Sequence, residues 1–195
     1  MAWEIIAGLG LLGLVVVAAL VAFVGMAIYY FNKIVVLSNQ IDNAWAQIDV
    51  QLKRRLDLIP DLIAAAKRVM KQEKELFEGL ASAREGLSKA GTIEEKARAN
   101  VKIDQLMAMF QARVEAYPEM KSNDNMRMAM EEMSGTESKI AYARQFYNDS
   151  VLEFNNTIQM FPGTLFASLF GKGQTKPFFK VEESERRKPD YKISD

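Results

Sequence analysis

Residues 5 to 31, IIAGLGLLGLVVVAALVAFVGMAIYYF, hold no charged side chain. A helix needs about 20 apolar residues to cross the hydrocarbon core of a bilayer, and a single segment can satisfy all its backbone groups there only as a helix. The run therefore predicts a transmembrane helix. A cleaved signal peptide competes for the same pattern, but the head of the chain carries Glu4 with no Lys or Arg, and the run is too long for a signal core. Trp3 at one end and Tyr29 and Tyr30 at the other suit the two interfaces of a bilayer. Ala18 and Ala22 form a small-xxx-small pair, which lets two helices approach closely. Lys33 follows the run and Lys53, Arg54 and Arg55 come later, so the positive-inside rule places the bulk of the chain in the cytoplasm.

The 195 residues leave room for this span and one modest domain. With 25 basic and 25 acidic residues the net charge is zero, which removes a general electrostatic case for nucleic acid. The chain has no cysteine and no histidine. Thiol nucleophiles, Ser-His and Cys-His triads, the usual zinc sets and the Glu-x-x-His pairs of di-iron bundles are thereby excluded. A metal would have to rely on Asp and Glu, and Glu73, Glu75, Glu78, Glu131 and Glu132 fall mostly on polar helix faces. No catalytic residue, cofactor site or metal site is assigned.

Past the span the apolar beat continues with almost no linker through Ile34, Leu37, Ile41, Ala44, Trp45, Ile48 and Leu52. Spacings of three and four mark the buried face of an amphipathic helix. The beat runs on through Ile59, Ile63, Ala66, Met70, Phe77 and Leu80 to about Leu87, where Gly91 gives a stop and Thr92 a new N-cap. A second helix is expected from about Ile93 to Tyr117, closed by Pro118. A third starts after KSNDN, residues 121 to 125, carries Met126, Met130, Met133, Ile140, Tyr147, Val151, Phe154, Ile158 and Phe161 on one face, and ends at Pro162 and Gly163. No stretch alternates with period two, so strands are not expected.

The expected fold is all-α: an N-terminal single transmembrane helix followed by an antiparallel helix bundle, because one-sided helices bury their faces against each other. Residues 1–33 form the anchor, 34–163 the bundle, and 164–195 a short apolar segment, TLFASLF, followed by a charged, mobile tail from Gly171. Within that tail Phe178 and Phe179 stand out as residues able to dock.

Residues 48 to 63, IDVQLKRRLDLIPDLI, hold three adjacent bases and a proline inside a helical pattern. At about 100° per residue, Arg55 falls with Ile41, Ile48, Leu52 and Ile59, whereas Lys53 and Arg54 point elsewhere. The triplet is thus no single anionic site, and Arg55 needs a partner inside the bundle or must snorkel to water. Glu137 and Arg144 lie near the apolar face of the third helix, which makes Glu137 the expected partner and the pairing a packing key. Pro60 removes an N–H and crowds the carbonyl of Leu56, which should bend the helix and leave that carbonyl free.

The segment NAWAQIDVQLKRRLDLIPDLI, residues 43 to 63, resembles the signature of LemA family proteins, and the likeness continues in EAYPEMKSN (115 to 123), TESKIAYARQFYNDSV (136 to 151) and FNNTIQMFP (154 to 162). Leu56 and Asp61 stand where many members are expected to carry His and Asn. The resemblance implies a bacterial, single-pass inner-membrane protein with a four-helix soluble bundle; it brings no enzymatic activity or cofactor. Trp45, Arg55, Pro60, Glu137, Arg144, Tyr147 and Asn148 are the shared-motif or packing candidates. The expected role is a scaffold or interaction module whose partners are the lipid bilayer, other membrane or cytoplasmic proteins and copies of itself, with no nucleic acid. The rival expectation is an enzyme or lipid-handling protein using Tyr117, Tyr142, Tyr147, Arg55 and Glu137 in a bundle crevice.

Overall fold

A computed structural model describes residues 2–121 and 123–180. It is 85% helical, with no strand among the described residues. The elements are α1 (Ala2–Lys67), α2 (Lys74–Lys89), α3 (Ile93–Glu115), the single turn α4 (Pro118–Lys121), α5 (Asp124–Gln159) and α6 (Gly163–Leu169). Packing divides the chain into two units, Met1–Asp42 with Ser150–Lys176 and Asn43–Asp149 with Pro177–Asp195.

In the first unit, Ile34, Leu37 and Ile41 of α1 are buried, as are Val151, Phe154 and Ile158 of α5 and Phe166 and Ala167 of α6. The charge-free start of α1 is long and apolar enough to cross a membrane, and its most apolar window has no buried residue: Leu9 is 65% exposed and Leu14 69%. Phe166 of α6 packs on Phe23 at 5.3 Å between ring centroids and stacks on Tyr30 at 5.5 Å, and Phe170 meets Phe31 edge-on at 5.1 Å. Gly163 makes this approach possible. A Cβ there would collide with the Thr157 carbonyl and come within 3.1 Å of the Tyr30 ring. Phe161, expected on the buried face, is instead 83% exposed, because α5 ends at Gln159 and the chain turns away before it.

The second unit assembles α1 from Asn43 onward, α2, α3, the single turn α4 and α5 up to Asp149. Its core includes Ile48, Leu52, Ile59, Leu62, Ala66 and Met70, together with Phe77, Leu80, Ile103, Phe110, Met133, Ile140 and Tyr147. The expected single helix to Leu87 is in fact two. α1 ends at Lys67, the chain turns with Met70 N–H on the Ala66 carbonyl (2.9 Å), and α2 starts at Lys74. Between Met70 and Leu76 the sequence reads KQEKE, so no apolar side chain supports the buried face for more than one turn. Gly135, by contrast, does not interrupt α5, which runs unbroken across it.

Thr92 caps α3 in a reciprocal capping box, its Oγ1 accepting from Glu95 N–H while the Glu95 carboxylate accepts from Thr92 N–H. Pro118 starts α4 after α3 has already ended at Glu115, as a proline at the first helical position can.

Pro60 lies inside α1, which continues past it. The Leu56 carbonyl that proline deprives of its intrahelical donor accepts instead from Nε of Arg84 on α2, at 2.9 Å. The kink site thereby ties α1 to α2. Arg84→Ala should cost about 1 kcal/mol. In a Pro60→Ala background the new N–H can serve that carbonyl, so the Arg84→Ala cost should shrink; a double-mutant cycle by chemical denaturation reads the coupling directly.

Candidate functional site

All the candidate residues named from sequence lie in the second unit. Arg55 on α1 is 1% exposed. Its Nη1 lies 2.5 Å from Oδ1 of Asp104 and donates to Oδ1 of Asn100 at 2.7 Å, both on α3. Asn100 in turn donates from Nδ2 to Asp104 at 3.2 Å. Among the described residues, Nε and Nη2 of Arg55 and Oε1 of Gln51 reach no protein hydrogen-bond partner, and Oδ1 of Asp104 meets Arg55 as an ion pair outside hydrogen-bond geometry. The expectation that Glu137 would pair with Arg55 is therefore corrected: the partner comes from α3, and Glu137 is exposed on α5. The missed signal was polar substitution on an apolar face, since Asn100 and Asp104 stand one turn apart among Ala97, Ile103 and Met107. Lys53 and Arg54 are exposed; Lys53 pairs with Asp49 at 2.8 Å and Arg54 with Glu132 of α5 at 2.5 Å.

Trp45 sits at the centre of a second cluster. Its ring lies 5.9 Å from Tyr147 and 6.0 Å from Phe179, and the Lys96 ammonium stands 5.3 Å from its centroid. Tyr147 donates its hydroxyl to the Pro177 carbonyl at 2.9 Å. Asn148 grips Phe179 at two points, accepting from its N–H at 2.9 Å and donating to its carbonyl at 3.3 Å. Phe179 is 3% exposed. The segment expected to be mobile from Gly171 is thus held at Pro177 by the Tyr147 hydroxyl and at Phe179 by an asparagine amide, whose oxygen and NH2 partner the N–H and carbonyl of an extended backbone. Within the first unit Asn155 makes the same two-point pairing with Lys176, at 2.9 and 3.0 Å. The rest of the expected tail, residues 181–195, lies outside the described residues.

Asp49 joins this cluster, accepting from Lys53 on its own helix and from Lys96 on α3. The hydrogen bond from Lys53, then that from Lys96, holds its carboxyl below the ordinary aspartate value. A carboxylate whose folded pKa is lowered gives stability that is complete above its unfolded pKa, near about 4, and is lost as pH falls through the folded value. Asp49→Asn should accordingly destabilise the protein at pH 7. The gap to the parent should close as thermal melts are taken from about pH 5 downward, since the parent alone loses this contribution there.

Two concavities flank the clusters. A groove of about 480 Å³ between α1 and α5 is lined by Ala46, Val50, Gln51, Ser138, Lys139 and Tyr142. A crevice of about 320 Å³ between α3 and α5 is lined by Asp104, Glu131 and Glu137 among Met107, Met130 and Met133. The five residues of the rival expectation are not brought together. Arg55 is sealed against α3, Glu137 lines the crevice, Tyr142 lines the groove, Tyr147 holds Pro177, and Tyr117 lies half-buried beyond the end of α3. Arg144 is half-buried on α5, and Pro60 is exposed on α1.

A protein-family model described as the LemA family matches residues 44–193, a span that contains every residue of both clusters. No curated protein matches the chain.

Proposed function

The chain belongs to the LemA family, and on that premise we propose that it is a single-pass, membrane-anchored helical protein that holds partner proteins or copies of itself beside the bacterial inner membrane. The observation that carries the reading is the bare apolar surface of α1, where no residue of the most apolar stretch is buried although it runs for more than four helical turns. In water such a surface would drive aggregation; in lipid it is an anchor. The second unit supports the remainder, since its strongest polar groups are engaged in holding helices together and the exposed Val50 and Tyr142 offer contact area on a helical scaffold. Lys33 directly beyond the span favours a cytoplasmic bundle and C-terminus.

Fractionation of cells tests the anchor. The full chain should stay with the membrane through alkaline carbonate washing, and protease added outside spheroplasts should leave its C-terminus uncut. Release by carbonate contradicts the anchor; cleavage from outside reverses the orientation.

A further inference from the structure

The sequence holds a second charge-free stretch, residues 154 to 171, FNNTIQMFPGTLFASLFG, bounded by Glu153 and Lys172. In the first unit this stretch is folded back against the end of the first one. Phe166 and Phe170 pack on Phe23, Tyr30 and Phe31, all of which precede Lys33. The bounding charges gather just beyond that contact: Lys33 pairs with Glu153 at 3.4 Å, and the Lys172 ammonium stands 5.5 Å from the Phe31 ring centroid. Both charge-free stretches thus reach the same level of α1 and acquire their first charges together.

The inner side of the turn and α6 is used for packing, while the outer side bears exposed Met160, Phe161, Leu165 and Leu169, with the small hydroxyl residues Thr164 and Ser168 between them. Met160 is 63% exposed, Phe161 83%, Leu165 50% and Leu169 63%. Beside it runs a groove of about 240 Å³ whose lining, Phe23, Val24, Ala27, Ile28, Phe31 and Phe170, offers no polar group. Bare leucines and an aromatic ring continuous with a transmembrane surface, closed on one side by lysines, have the makeup of an element lying in the lipid interface.

We infer that residues 160 to 169 form a lipid-contacting foot: Met160, Phe161, Leu165 and Leu169 enter the headgroup and upper acyl region of the leaflet next to Lys33, the groove beside Phe170 accepts acyl chain, and Lys33 and Lys172 mark the water boundary. The foot would fix the depth of α1 and its rotation about its own axis, which a smooth apolar helix alone does not fix. The inference rests on the anchored reading above, and it assigns to that anchor a second surface and a lipid ligand.

Because the chain contains no cysteine, single cysteines can carry an environment-sensitive fluorophore in the otherwise unchanged full-length protein. Labels at Phe161→Cys, Leu165→Cys and Leu169→Cys, with Leu14→Cys as the span control and Tyr142→Cys as the water control, are compared in vesicles of phosphatidylcholine and phosphatidylglycerol containing spin-labelled lipid. These side chains are all exposed, so the labels displace no core packing. The expected result is strong quenching at Leu14 and at the three foot positions, with little at Tyr142. Quenching at Leu14 with foot positions that behave like Tyr142 overturns the foot and leaves the anchor standing. An unquenched Leu14 overturns the anchor and the foot with it.

Discussion

Asp104→Ala should lower the stability of the bundle by about 3 kcal/mol, more than any other single change to the Arg55 cluster. Arg55 is 1% exposed and cannot turn to water, so removing its carboxylate strands a buried guanidinium with only the Asn100 carbonyl oxygen as partner. The reverse change should be milder. Arg55→Leu removes the buried charge and leaves Asp104, whose side chain is 34% exposed, free to hydrate. The double variant Arg55→Leu, Asp104→Leu should recover most of the loss, since apolar replacement of a whole buried pair is often neutral or better. Glu137→Gln should melt like the parent, because Glu137 is exposed and is not the partner of Arg55. Urea denaturation of the four variants checks the ranking. Equal costs for Asp104→Ala and Glu137→Gln would show that the guanidinium draws no stability from α3.

The second large effect concerns two glycines whose replacement by alanine should act in opposite directions. At Gly163 the new Cβ meets the Thr157 carbonyl and the Tyr30 ring, and a carbonyl in a helix end cannot move aside as a side chain can. Overpacking of this kind costs about 1–3 kcal/mol, and a backbone clash belongs at the upper end. Gly135 sits in the interior of α5 with nothing within 4 Å of its added Cβ. Alanine there adds helix propensity, so Gly135→Ala should stabilise by about 0.5–1 kcal/mol. Thermal unfolding followed by circular dichroism should show the first variant melting below the parent and the second above it. A neutral Gly163→Ala would mean that α6 does not pack against Tyr30 as closely as described.

Gly135 also illustrates what the sequence could convey. A glycine in a helical pattern is an ambiguous stop signal, and here the apolar face on either side, Met133 and Ile140, keeps its phase across it, so the helix continues. The break after Lys67 was harder to see because no glycine or proline marks it; only the absence of an apolar residue between Met70 and Leu76 does. Pro60 and Thr92 were legible because proline geometry and capping chemistry are local. The partner of Arg55 was not, since periodicity tells which way a side chain faces but not which helix it faces. Phe178 and Phe179 advertised docking by composition, yet the residue that secures the backbone, Asn148, carries no hydrophobic signal at all.

The Asn148 grip on Phe179, the Arg84 bond at the Pro60 kink and the Arg55–Asp104 ion pair tie the elements of the second unit to one another. The proposed scaffold role places function in what the second unit holds. The direct test is photocrosslinking in intact cells from Tyr142, which is 75% exposed beside the α1 and α5 groove, followed by identification of the captured chains. A scaffold gives reproducible adducts, either to further copies of this chain or to defined membrane or cytoplasmic proteins. A chain that yields no protein adduct and migrates as a monomer in mild detergent contradicts that role.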